Sequence, residues 1–436
     1  MSILVIGNGF DLAHGLPTKY KDFLEFYKHV LPIYENIEGR GIELYQQDYL
    51  VTWKFNAEIK ETLIDAYKSR KKVTVEKNIL QFQTNYPKLD EMYIIIKDNI
   101  WIKYFLECNM YQKENWIDFE TEISEMIQSF DRDIKGKNFY GQIESLTNEF
   151  LEKRFLYDDF EYLLSQNKGE KKKITYVQLR DILINDLNRL IRALEIYLAE
   201  YVEKIDITRF SNDIRKLHID YVISFNYSHT YKKLYDESKE IEYDYIHGEA
   251  KNKEENRGEA LEKNNMVLGI DEYLTEDRKN KDIEFIAFKK YYQRIYKQTG
   301  NKYKKWISEI REKYTLYIDN IKKLKDMSIN GIVKSSSKAI SNTGVGEMAY
   351  HFDTGKYEEH YIYIFGHSLD VTDGDVLRDL ILNDNVYTTI FYLNKDVMGQ
   401  QIANLVKVIG QDELIRRTGG STKTIEFKQQ QDMVPR

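Results

Sequence analysis

The chain has 436 residues, 71 acidic and 64 basic side chains, a net charge of −7, and 42% hydrophobic against 31% charged residues. That balance is globular rather than disordered, and too long for one compact core without large additions. The charge has the wrong sign for a broad basic surface, so no nucleic-acid partner is expected.

One cysteine, Cys108, excludes an intrachain disulfide and a Cys-x-x-Cys zinc module and reads as a packed or neutral surface thiol. No apolar run approaches a membrane span of roughly 18 residues. The first element, Ile3-Leu4-Val5-Ile6, reads as a buried strand and leaves no room for a signal peptide, so a cytoplasmic location is expected.

Gly7-Asn8-Gly9-Phe10-Asp11 follows directly. Gly-x-Gly after a strand lets the backbone turn tightly and bring N–H groups towards phosphate oxygens. The third glycine comes too late for the Gly-x-Gly-x-x-Gly fingerprint, and a plain structural turn explains the pair as well. From Thr18 to about Leu217 the pattern is helical, as in Leu183, Leu187, Leu190, Ile191, Leu194 and Leu198. Only four prolines occur, which suits long helices.

Tyr221–Ser224 reads as the next strand, and Phe225-Asn226-Tyr227-Ser228 follows it. Asn226 offers a donor and acceptors suited to a ribose hydroxyl or a water, and equally suits a turn. His229 is expected on the helix beyond. Tyr243–Ile246 precedes His247-Gly248, and His247 is either a base near neutral pH or a structural histidine. Met266–Leu268 is a lesser strand candidate. Residues 272–325 form a basic, aromatic helical block that reads as a solvated face or a surface for an acidic partner. Residues 335–346 read as a loop or lid.

Tyr361–Phe365 is a strand ending in Gly366-His367-Ser368-Leu369, with Asp370 and Asp373 beyond. Ser368 suits a phosphate or ribose, and Asp373 reads as the cap of a helix at Val376–Leu382. Thr388–Tyr392 is a last strand, and the tail after Phe427 reads as frayed. Four polar turns thus end predicted strands, and in a parallel sheet they converge on one edge.

These motifs resemble two families. Gly7, Gly9, Gly15 and Pro17, with Ser224-Phe225-Asn226, His247-Gly248 and Gly366-His367-Ser368-Leu369, are similar to the sirtuin motifs. The Gly-Asn-Gly-Phe-Asp-Leu run, Phe-Asn-Tyr, His-Gly and Gly-His-Ser-Leu, with Trp116, Asp118 and Glu120, resemble more closely the AbiH family of bacterial abortive-infection proteins. The resemblance implies an α/β, sirtuin-like doubly wound parallel sheet with large helical insertions. Residues 1–30, 216–271 and 346–436 would form the core, 31–215 a helical insertion, and 272–345 a second insertion with a loop.

It also implies an anti-phage effector that hydrolyses NAD to nicotinamide and ADP-ribose. Asn226 and His247 would be the catalytic pair, and Asp11 would stabilise the developing positive charge. Gly7, Asn8, Gly9, Phe10, Gly366, His367 and Ser368 would contact the nucleotide. No metal is required. Ser228 stands where sirtuins carry Asp, and without a zinc ribbon peptide deacetylation is not expected. The insertions offer places for a phage-derived trigger or a homo-oligomer interface. The competing readings are a non-catalytic NAD or ADP-ribose module and, ranked lowest, a nuclease, because no clustered carboxylates accompany the strand ends in sequence.

Overall fold

The computed structural model describes residues 1–34, 56–75, 79–107, 117–134, 139–140, 175–237, 240–251, 257–329 and 357–436. Cys108, Trp116 and the expected loop at 335–346 lie outside them.

Among the described residues eight strands follow in chain order: β1 (Ser2–Ile6), β2 (Arg209–Phe210), β3 (Tyr221–Ser224), β4 (Glu242–Tyr245), β5 (His360–Phe365), β6 (Val386–Tyr392), β7 (Ile425–Gln429) and β8 (Val434–Pro435). Six form one sheet in the order β4-β3-β1-β5-β6-β7, and every pairing in it is parallel. The short β2 and β8 pair antiparallel outside it. The protein is therefore α/β. Met266–Leu268 forms no strand; Val267 N–H donates to the His247 carbonyl, and the nearest bridge is Ile270 with Lys289.

Alternation along β1 explains why it sits at the centre. Ile3 and Val5 enter one apolar cluster with Ile223, Ile362 and Ile364. Leu4 and Ile6 enter another on the opposite face with Val222, Phe365 and Phe391. A strand buried on both faces must be apolar throughout, and Ile3–Ile6 is. Helix Tyr303–Ile329 covers the first face through Trp306, Ile307 and Ile310. The opening turns of this helix, inside the expected second insertion, thus belong to the sheet's own packing layer, where their apolar side chains are buried.

The first insertion has its own core. Helix Tyr176–Glu200 starts on a reciprocal capping box between Thr175 and Gln178. It buries Leu183, Leu187, Leu190 and Ile191 with Trp101, Phe105 and Phe119. Tyr197 donates from its hydroxyl to the Pro17 carbonyl at 2.8 Å, joining this bundle to the segment that follows β1.

The tail departs from expectation. Residues 425–429 extend the sheet as β7, and Gln431 N–H donates to the buried Asp213 at 2.7 Å. A polar edge strand carries little hydrophobic signal, so it read as frayed.

Candidate functional site

Register decides where the polar turns meet. Ile6 lies beside Ser224 and Phe365, and Ser224 lies beside Tyr245. The four strands end level, so Gly7, Phe225-Asn226, Ile246-His247 and Gly366 emerge together. The strand order reverses about β1, where open α/β sheets form a crevice beyond their carboxyl ends. A cleft of about 730 Å³ lies there, lined by Gly7, Asn8, Gly9, Asp11, Asn226, His247, Gly366, His367 and Ser368. The helix Phe119–Ile134 of the first insertion forms the opposite wall with Glu120, Ser124 and Gln128.

The glycines of the two turns pack against one another at the cleft. Gly7 N–H donates to the Phe365 carbonyl, Gly9 N–H to Gly366 and Phe10 N–H to Gly7. These donors are therefore committed within the protein. A Cβ at Gly366, where φ is +68°, would lie 2.1 Å from the Phe10 nitrogen, so two backbones touch where no side chain fits. Phe10 is turned away altogether. Its ring is fully buried against His14, Tyr235 and Phe365, and nucleotide contact by it is excluded.

Asn226 is buried and donates from Nδ2 to the Gly7 carbonyl at 3.0 Å, so it pins the β1 loop. Asp11 is 1% exposed. Its Oδ2 accepts from Ser228 Oγ at 2.5 Å, while Oδ1 has no hydrogen-bond partner among the described residues. Burial raises its carboxyl to about 6, against hydrogen bonds from Ser228 and Thr230.

Asp373 does not cap its helix by its side chain. Its carboxylate faces His247 Nε2 at 3.3 Å and His367 Nε2 at 3.4 Å. His367 Nδ1 accepts the Leu369 N–H at 2.9 Å, so in the neutral ring the proton sits on Nε2, towards Asp373. His367 thus holds Asp373 from the loop side. Leu369 adopts φ +59°, a strained conformation for a branched side chain, and its buried position holds the loop in that shape. His247 Nε2 meets the other carboxylate oxygen, and its Nδ1 has no hydrogen-bond partner among the described residues. A carboxylate that orients an imidazole and leaves one ring nitrogen free is the arrangement of a general base.

Burial works to raise Asp373, but Lys290 and the two imidazoles overcome it and hold the carboxyl well below its usual range. Lys290 Nζ is 2.7 Å from Glu120 Oε2. Asp271, also on the cleft wall, is pushed by burial up to about 7. The folded cleft therefore does cluster carboxylates, drawn from residues 11, 120, 271 and 373, which lie too far apart in the chain to read as a group. Among the described residues no group of three His, Cys, Asp or Glu has metal-site geometry.

His229 does more than begin a helix. Nδ1 lies 2.6 Å from Glu203 Oε1 and Nε2 lies 2.9 Å from Glu249 Oε2. Burial opposes its charge, yet the two carboxylates raise the ring to about 9. Asp373 and Lys290 were the main omissions from the sequence reading. Asp373 was visible as a polar residue after a strand-end turn, but Lys290 was masked by the basic block around it.

The fold and cleft define an α/β protein with a carboxylate- and imidazole-lined cleft at the carboxyl ends of its strands, walled by a helical insertion. The sequence profile described as bacteriophage abortive infection AbiH matches residues 3–393, and the chain belongs to the AbiH family, which places it in anti-phage abortive infection. No curated relative and no solved structure matches it. Among the described residues no helix is long and apolar enough to cross a membrane.

Proposed function

We propose that this AbiH protein is an effector whose cleft hydrolyses the nicotinamide–ribose bond of NAD on a sirtuin-like, doubly wound core. The observation that carries the reading is the His247–Asp373 pair set in an acid-lined cleft at the reversal of strand order. The ribosyl centre of NAD becomes oxocarbenium-like as its bond to nicotinamide breaks. The ionised carboxylates of Asp11 and Glu120 stabilise that positive charge.

His247 Nδ1 takes a proton from water while the water oxygen bonds to the ribose C1′ carbon. The electron pair of the breaking C–N bond moves to the pyridine nitrogen, and neutral nicotinamide leaves. Asp373 stabilises the imidazolium that forms. Asn226 acts by fixing the Gly7 loop. Soluble cytoplasmic action, a phage-derived trigger and self-assembly through the insertions complete the proposal.

One observation favours a second reading, a module that binds NAD or ADP-ribose without turnover. His247 Nδ1 is sealed from solvent, so water does not reach it in this state. Purified protein, with and without extract from infected cells, is incubated with NAD and assayed for free nicotinamide. Release by the wild type, lost in His247→Ala and Asn226→Ala, supports hydrolysis. Calorimetric binding of NAD that is recovered intact under every condition selects the module.

A further inference from the structure

An ammonium group out of water is costly, and structures keep one only where carboxylates surround it. The Lys290 side chain is 6% exposed, with Nζ 2.7 Å from Glu120 Oε2 and 3.8 Å from Asp373 Oδ1. Asp271 also faces it. The carboxylates arrive from three separate stretches. Glu120 opens the wall helix Phe119–Ile134 of the first insertion, Asp271 follows Ile270, and Asp373 follows the β5 turn. Lys290 starts the short helix Lys290–Tyr296.

We infer that Lys290 is the positioning residue of the cleft: it ties Glu120 of the first insertion to Asp373 of the core, so the carboxylate that holds both imidazoles is in place only while the wall helix is docked. Its surroundings bear this out. Burial pushes Glu120 upward, and Lys290 is the leading influence pulling it back. Without the ammonium, Glu120, Asp271 and Asp373 would face one another without their shared cation, and the wall helix would be repelled from the β5 turn. Competence of the site thus depends on docking of the insertion, whatever substrate the cleft takes.

The test compares Lys290→Met, Lys290→Arg and Glu120→Gln in the full chain by hydrogen exchange. Lys290→Met and Glu120→Gln should speed exchange in Phe119–Ile134 and in the Gly366–Asp373 turn by about tenfold or more, because each removes one partner of the buried pair that ties the wall helix to the core. Exchange in β6 should be unchanged, and Lys290→Arg should restore most of the protection. A kinetic arm, which rests on the NAD reading, follows nicotinamide release against pH. Loss of the cation raises Asp373, so the acid limb should move to higher pH in Lys290→Met.

Wild-type exchange rates at both segments in Lys290→Met and Glu120→Gln would overturn the inference, even if NAD is turned over. A protein that never turns over NAD but shows the paired acceleration would sink the NAD reading and uphold this one. If Lys290→Met does not fold, the milder Glu120→Gln decides the exchange test alone.

Discussion

Replacing Asp373 by Asn exchanges one carboxylate oxygen for an NH2 group at nearly constant shape, and the consequence follows from tautomers. In the wild type both imidazoles present Nε2 to the carboxylate, at 3.3 and 3.4 Å. Asn offers one acceptor and one donor. His367 cannot change tautomer, because its Nδ1 must keep accepting the Leu369 N–H. The Asn oxygen therefore goes to His367, and the NH2 group faces His247. His247 must then accept at Nε2 and carry its proton on Nδ1, the nitrogen assigned as the base. The fold survives while the basic lone pair points the wrong way. Turnover should fall by about 10²–10⁴-fold, the range for loss of a correctly oriented base, or about 3–5 kcal/mol in the barrier. KM should change little. Nicotinamide release gives kcat and KM, and circular dichroism controls for folding. Full turnover by Asp373→Asn would refute the tautomer argument and the assignment of His247.

The other expectations concern stability as well as turnover. Asp11 is raised to about 6 in the fold, so its ionised form opposes folding at neutral pH and stability should rise as pH falls from about 6 towards 4. Asp11→Asn should accordingly stabilise the protein at pH 7 by about 1–3 kcal/mol in urea unfolding while lowering nicotinamide release; destabilisation would contradict the burial argument. His229 is raised to about 9, so its ion pairs stabilise fully below about 6.5 and are lost as pH climbs through 9. The wild type should lose about 2–3 kcal/mol over that window, and His229→Gln should flatten the profile between pH 6.5 and 9.5. Gly366→Ala forces a Cβ to within 2.1 Å of the Phe10 nitrogen at positive φ. It should cost roughly 2–4 kcal/mol and most of the activity, whereas Gly399→Ala, with open space around it, should cost neither.

Much of the sheet was legible because buried parallel strands are short apolar runs with polar turns behind them. Ile3–Ile6, Tyr221–Ser224, Tyr361–Phe365 and Thr388–Tyr392 all have that form. β7 escaped because Ile425-Glu426-Phe427-Lys428-Gln429 buries little beyond Ile425. The turns were legible as polar, but the direction of each group was not. Phe10 sits among site residues yet its side chain points into the core, and Asp373 looked like a cap because Asp before a helix usually is one. Lys290 and Glu120 are informative only as a pair, and 170 positions of chain hide the pairing. Both the glycine loop and the nearby Gly366 turn looked like anion sites, because sequence cannot show that Gly7 and Gly9 give their N–H groups to the Phe365 and Gly366 carbonyls.

β1 has a consequence for how the protein is made. It is translated before either neighbour, and roughly 200 residues separate it from β3 and roughly 350 from β5. At about 5–20 residues per second, the ribosome needs on the order of 10–40 s to deliver its first partner and longer for the second. Through that interval a fully apolar strand has both edges open and depends on chaperones or on the growing helical bundle for shelter. His247, Asp373 and the Gly7 loop share no neighbourhood until β5 has emerged and inserted. A nascent or truncated chain therefore carries no assembled cleft, and the residues of the site meet only when translation is almost complete.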